Sequence, residues 1–253
     1  MQDMSRLTLI AHRGEPETWP ENSLAGFAGV LEAGAQHIET DVQFTRDGIA
    51  VLSHDPCLTR MTGHDLDIAT NDYDAICDLP AGEPGRFGTR FSSLRLARLQ
   101  EFVALLQQWP QAKAFVEIKP ASLDVHGMER IVDCLLHILS PVLSQCILIS
   151  FVPEALAHAR TQNPLPVGWV IPEWTPANRE RATALAPDYL FCNRKRLPPP
   201  AEPLWLGDWT WVVYTVNTVA EIAQFTERGI HMLETNAISK LLAETKPDGG
   251  GRD

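Results

Sequence analysis

The sequence predicts one (β/α)8 barrel, and three observations lead there. Short apolar or β-branched runs alternate with longer amphipathic stretches, the pattern of parallel strands joined by crossing helices. Eight such units follow one another, the number that closes a barrel. The chain has 253 residues, with no internal repeat and no second segment of core-forming size, which suits one barrel domain over 1–253.

Strands are expected at Leu7–Ala11, His37–Asp41, Ala114–Lys119, Cys146–Phe151, Pro166–Ile171, Asp188–Asn193, Trp211–Thr215 and His231–Glu234. Helical patterns fall between them. Glu21–Glu32 stops before Gly34, Leu96–Trp109 before Pro110 and Gly127–Leu139 before Pro141, followed by Pro153–Thr161, Thr175–Ala186 and Thr218–Arg228; glycine and proline stand where helices end. Between the sixth and seventh strands the stretch Leu197–Pro203 holds four prolines, so a loop is expected in place of a helix.

One piece breaks the alternation. After Asp41 the chain reads on to Asp47-Gly48 and returns through Ile49–Ser53 to His54. Asp-Gly is a hairpin turn signal, and strands joined so tightly pair antiparallel. The second strand should therefore run past the barrel rim, turn, and bring His54 back to the mouth. Segment 57–93 is then an insertion on that rim, expected to shape the pocket; its Pro80–Gly85 stretch is read as irregular. The Gly-rich end, 246–253, reads as a flexible tail.

Composition excludes several classes. The formal charge of −11 argues against nucleic acid and against broad binding to anionic membranes, which need a basic footprint. Cys57, Cys77, Cys134, Cys146 and Cys192 match no zinc or redox spacing and read as reduced thiols. There is no apolar leader, and Cys134–Val152 is too interrupted by polar residues to span a membrane. A cytoplasmic home is expected; nothing here reads on oligomeric state.

Chemistry in such a barrel collects where the strands end. His12-Arg13-Gly14 follows the first strand, Glu39 and Asp41 end the second, and Glu117 and Lys119 end the third. Residues two apart on a strand face the same way, so three carboxylates can converge while Ile38, Val116 and Ile118 face the helices. Ion pairs of Glu117 with Lys119, and of Glu39 or Asp41 with Arg13, would gather the same residues. A divalent cation would as well, and an all-oxygen set suits Mg²⁺, Ca²⁺ or Mn²⁺. Charge favours the cation: with it, Arg13 and Lys119 leave the site one unit positive, fit for a monoanionic diester, and without it the site is negative. His12 and His54 titrate in the range for proton transfer to and from reacting oxygens. Phe151, Trp174 and Tyr214, at later strand ends, are candidates for an apolar wall against the substrate. Asn22 and Ser23 are read as caps of the first helix.

Taken together, His12-Arg13-Gly14, Pro20-Glu21-Asn22-Ser23, Gly34-Ala35, Ile38–Val42, Thr45–Gly48, His54-Asp55 and Glu117-Ile118-Lys119 resemble the glycerophosphodiester phosphodiesterase family, as do Ser150-Phe151 and Tyr214–Asn217 further on. The resemblance covers most of the chain. It implies metal-dependent hydrolysis of glycerophosphodiesters to sn-glycerol 3-phosphate and an alcohol such as choline or ethanolamine, a place in lipid and glycerol metabolism. His12 and His54 would be acid and base, Glu39, Asp41 and Glu117 would hold Mg²⁺ or Ca²⁺, and Arg13 and Lys119 would hold the phosphate. Two alternatives stand beside this: a lysophospholipase D acting on lipid-tailed diesters, and a barrel that binds a phosphorylated ligand without turnover. The chain departs from the family's frequent Thr-Asp near the last strand, with Thr235-Asn236 in that place.

Overall fold

A computed structural model describes residues 6–245; the tail expected at 246–253 lies outside them. In chain order the elements are β1 (Thr8–Ala11), α1 (Leu24–Glu32), β2 (His37–Phe44), β3 (Ala50–Leu52), α2 (Thr59–Thr62), α3 (Tyr73–Ile76), α4 (Pro84–Phe87), α5 (Leu99–Gln107), β4 (Lys113–Ile118), α6 (Pro120–His126) and α7 (Met128–Leu139). They continue with β5 (Cys146–Ser150), α8 (Pro153–Gln162), β6 (Val167–Val170), α9 (Pro176–Leu185), β7 (Tyr189–Asn193), β8 (Thr210–Tyr214), α10 (Val219–Thr226), β9 (Met232–Thr235) and α11 (Ile238–Thr245).

Eight parallel strands run β1-β2-β4-β5-β6-β7-β8-β9, and β9 closes on β1 with Leu9 opposite Leu233 and Ile10 opposite Glu234. Strand parity sorts the apolar residues into two layers. Ile10, Phe115, Ile147, Ile149, Val170, Phe191 and Val212 fill the barrel interior. Their neighbours of opposite parity, among them Ile38, Val116, Ile118 and Leu148, pack outward against the helices. That is the arrangement expected of a strand covered on both faces. The outward set includes the residues expected to face the helix layer.

The hairpin forms where Asp47-Gly48 places it. Val42, Gln43 and Phe44 pair antiparallel with Leu52, Val51 and Ala50, and Gly48 takes the left-handed φ of +83° that the turn requires. The Ser53 amide donates to the Asp41 carbonyl, and the Gln43 side chain donates to the His54 carbonyl at 3.1 Å. His54 is thereby fixed at the mouth.

Four features differ from the expectation. The stretch from Pro80 is not wholly irregular: Pro84 opens the helical turn α4, its missing N–H costing nothing at a first helical position. Helix α6 starts with Pro120 directly after Lys119 for the same reason, and α11 follows the last strand; neither was anticipated. Segment 57–93 also has a small core of its own, with Leu58, Ile68, Ile76 and Ala81 packed on Val51 and Leu96. The loop between β7 and β8, in contrast, is as expected. Where a barrel helix would lie, it presents Trp205, stacked on Trp174 at 4.2 Å, with Trp211 at 5.5 Å from Trp174. Tryptophans supply the apolar cover that a helix gives elsewhere.

No helix among the described residues is long and apolar enough to cross a membrane. All five cysteines are free.

Candidate active site

The mouth of the barrel divides into two arcs. On β1, β2 and β4 stand charged groups; on β5 to β8 stand Ile149, Phe151, Val170, Phe191 and Tyr214. Between them opens a cavity of about 60 Å³, lined also by His12, Arg13, Glu39, His54, Glu117, Lys119 and Glu234. A larger hollow of about 480 Å³ lies along α9, but it is lined by one helix face without converging polar groups.

Glu39, Asp41 and Glu117 are all buried, and each offers an oxygen within 4.8 Å of the others'. The β2–β4 register produces this, pairing Asp41 with Glu117 and Glu39 with Phe115. The ion pairs weighed from the sequence are present too. Lys119 Nζ lies 2.8 Å from Glu117 and 3.2 Å from Asp41, and Arg13 Nε lies 3.1 Å from Asp41. Arg13 adopts a φ of +52° before Gly14 at +85°. This turn aims its backbone N–H at Glu39 Oε2, 3.0 Å away, and its guanidinium at Asp41 and Glu21.

Burial raises the Glu39 carboxyl well above the usual range, and Asp41 and Glu234 add to the effect. Burial raises Glu117 as well, with Lys119 pulling it back. Asp41 goes the other way: burial would raise it, but Arg13 and Lys119 outweigh burial and hold it far below the usual range. Both cations are held charged: desolvation opposes this, but Asp41 and Glu21 beside Arg13, and Asp41 and Glu117 beside Lys119, together outweigh it. Three buried carboxyls outnumber the two shared cations, so all three ionise together only at a cost unless another positive charge joins them. The set is all oxygen, closely grouped and dry, and so it fits a hard divalent cation.

The two histidines have different partners. His12 Nδ1 lies 2.7 Å from Asn236 Oδ1; the amide oxygen accepts the Nδ1 proton and leaves Nε2 bare, 4.0 Å from Glu39 Oε2. Burial, then Arg13, lowers the His12 imidazole to about 4. His54 Nδ1 lies 2.7 Å from Asp55 Oδ1. Burial lowers His54 also, while Asp41 and Asp55 pull it up. Arg60 in α2 donates to Asp55 and Glu21 and approaches Glu83 at 3.6 Å. Glu83, fully buried, accepts from the Glu21 amide at 2.7 Å and from Arg86. None of the cavity-lining residues comes from 57–93. The insertion reaches the site indirectly, by bracing the residues behind His54 and Arg13.

Of the residues singled out from the sequence, nine converge: His12, Arg13, Glu39, Asp41, His54, Glu117, Lys119, Phe151 and Tyr214. Trp174 does not. It stacks on Trp205 and Trp211 and packs with the outer layer, since the missing helix leaves that surface to cover. Asn22 is not the helix cap. Ser23 caps α1 by accepting from the Gly26 amide. Asn22, at a φ of +56°, donates to Asp41 Oδ2 and accepts from the Asp41 amide and Thr40 Oγ1. It orients a candidate metal ligand.

Sequence reasoning missed Glu234. It is 3% exposed, its Oε1 has no hydrogen-bond partner, and burial followed by Glu117 pushes it up to about 8. A signal was present: Glu234 shares parity with Met232 at the end of an expected strand.

A model of the glycerophosphoryl diester phosphodiesterase family matches residues 12–240. A glycerophosphodiester phosphodiesterase from Caldanaerobacter subterraneus subsp. tengcongensis is 38% identical over 98 residues, which is 39% of this chain and 40% of that protein. The chain spans less than half the length of the curated relatives it matches first. Among solved structures, a phosphodiesterase from Oleispira antarctica in complex with the product sn-glycerol-3-phosphate superposes with a TM-score of 0.81 at 23% identity, over 94% of this chain and 97% of that one. The glycerophosphodiester phosphodiesterase of Thermotoga maritima superposes at 0.69 with 21% identity, over 94% and 98%. At these identities the superpositions speak to the fold.

Proposed function

The chain belongs to the glycerophosphoryl diester phosphodiesterase family, and from that premise we propose that it hydrolyses glycerophosphodiesters to sn-glycerol 3-phosphate and an alcohol. The observation that carries this reading is the convergence, in one cavity, of Glu39, Asp41 and Glu117 with two cations and two differently partnered histidines. The experiment is release of glycerol 3-phosphate from glycerophosphocholine, followed with a coupled dehydrogenase. No release above the rate of the metal-free buffer would overturn the reading.

Glu39, Asp41 and Glu117 would hold Mg²⁺, Ca²⁺ or Mn²⁺. When bound, the ion polarises a phosphoryl oxygen and offsets the buried negative charge. Arg13 and Lys119 then meet the charge that builds on the phosphoryl oxygens. His12, with its proton fixed on Nδ1 toward Asn236, presents the Nε2 lone pair as the base for the attacking oxygen. His54, backed by the Asp55 carboxylate, is the group suited to carry a proton to the departing alkoxide. Phe151, Phe191 and Tyr214 on the opposite arc exclude water and pack on substrate carbons.

We read residues 1–253 as one catalytic domain with 57–93 as a bracing insertion. Five free cysteines support a reducing compartment such as the cytoplasm.

Two predictions arise here. Arg13→Ala and Lys119→Ala should each lower kcat/KM at least ~10-fold, since hydrogen bonds to charged groups contribute about 1.5–3 kcal/mol. An unchanged kcat/KM for either would return that residue to plain ion pairing. Asn236→Asp places a carboxylate 2.7 Å from His12 Nδ1, which favours the imidazolium. The His12 pKa rises, so the acid limb of the kcat/KM profile should move to higher pH. A limb that stays in place would remove His12 from the base role.

A further inference from the structure

Between the last apolar residue of one arc and the first charged residue of the other stands a single carboxyl. β9 lies between β8 and β1, so Glu234 projects between Tyr214 and His12. All three line the cavity. Every other buried carboxyl there has a partner: Glu39 accepts from the Arg13 amide, Asp41 from Asn22 and Lys119, Glu117 from Lys119. Glu234 Oε1, in a residue 3% exposed, has none. Nor does Glu234 belong to the oxygen cluster that suits a metal. A buried polar atom left without a partner is costly, and the side chain that carries this one lines the cavity a ligand would fill. Its place at the edge of the apolar arc, across from Arg13 and Lys119, suits a group that is carbon-based yet carries hydroxyls.

We propose that Glu234 is a specificity-determining residue that hydrogen-bonds a hydroxyl of the glycerol moiety, so that the cavity selects glycerol phosphates over simple alkyl phosphates. The proposal rests on the reading of this site as a glycerophosphodiester hydrolase. A hydroxyl can donate to the carboxylate or accept from the carboxylic acid, so either state of Glu234 serves. Sites built to bond a substrate hydroxyl reject analogues lacking it far more strongly than sites that merely fit its shape.

The test is calorimetric binding of two probes at saturating Mg²⁺, sn-glycerol 3-phosphate and ethyl phosphate. The wild type should prefer glycerol 3-phosphate by at least ~10-fold, a ratio in line with one or more hydrogen bonds in a dry site. Glu234→Met and Glu234→Ala should each abolish that preference by weakening glycerol 3-phosphate alone, and Glu234→Gln, which keeps an acceptor and a donor, should restore most of it. Either of the first two that folds suffices. Equal changes for both probes, in either direction, would overturn the proposal, as would a wild type without preference. A drop in Mg²⁺ affinity in Glu234→Gln would overturn it as well, by making Glu234 part of the metal set. Because binding is measured without turnover, failure of the hydrolysis assay and failure of this proposal are separate results.

Discussion

His54→Ala should slow hydrolysis of glycerophosphocholine by about 10²–10⁴-fold, the usual contribution of a general acid, yet leave a nitrophenyl phosphodiester within a few-fold of wild type. The reason lies in the leaving group. Choline departs as a strongly basic alkoxide and needs a proton in the transition state, whereas nitrophenolate is stable without one. His54 has the partners an acid needs: burial lowers its pKa, but Asp41, and Asp55 at 2.7 Å, favour its protonated form. His12 has the opposite setting: a neutral amide at Nδ1 and a pKa lowered to about 4 by burial. It is neutral through the physiological range and ready to accept a proton. His12→Ala should therefore silence both substrates, because the nucleophile is the same for each. Initial rates of the two variants on the two substrates, at saturating metal, decide the matter. Equal losses on both substrates in both variants would mean that the division of labour is wrong and that the histidines position other groups.

Stripping divalent cations should have an effect at least as large, on the order of 10³-fold or more given several kcal/mol of charge stabilisation at a phosphoryl centre. Without the ion, Glu39, Asp41 and Glu117 occupy Arg13 and Lys119 in buried ion pairs, and a diester anion must compete with those carboxyls for the two cations. Mg²⁺, Mn²⁺ or Ca²⁺ should restore the rate. Asp41→Asn should weaken metal binding in calorimetry, and it should also shrink the rise in melting temperature that the ion gives to the wild type, a linkage effect independent of turnover. Full activity of the stripped protein in excess chelator would end the metal reading.

Much of this was legible before any coordinates, for one physical reason. Strand parity and strand ends are local properties, and together they bring Glu39, Asp41, Glu117 and Lys119 to one face. The hairpin that returns His54 was written in two residues, Asp47 and Gly48. What was illegible depended on pairings between distant segments. Trp174 was expected at the mouth because it follows a strand, but its position is decided by Trp205 and Trp211, which no local pattern links to it. Asn22 has the composition of a helix cap, and only the packing of the first loop on β2 turns it toward Asp41. The bracing by Arg60 and Glu83 joins an insertion to the first loop across 39 and 62 residues of sequence. Glu234 is the exception: strand parity alone places it with Met232 on the face that looks into the barrel.

The seam where β1 meets β9 has a consequence for how the protein comes into being. His12 is bonded to Asn236, and Glu15 accepts from Ser239, so the histidine proposed as the base is oriented by a residue more than two hundred positions later in the chain. Contacts of such sequence separation form slowly, since the chain between must be ordered first. During synthesis, a chain that has reached the end of β8 holds all three candidate metal ligands but not the Asn236 that holds the His12 ring. On the proposed reading, the His12 ring is set only when β9 closes on β1, so a chain clipped before β9 would lack that alignment. The joint that completes the cylinder is thereby also the joint that aligns the candidate base.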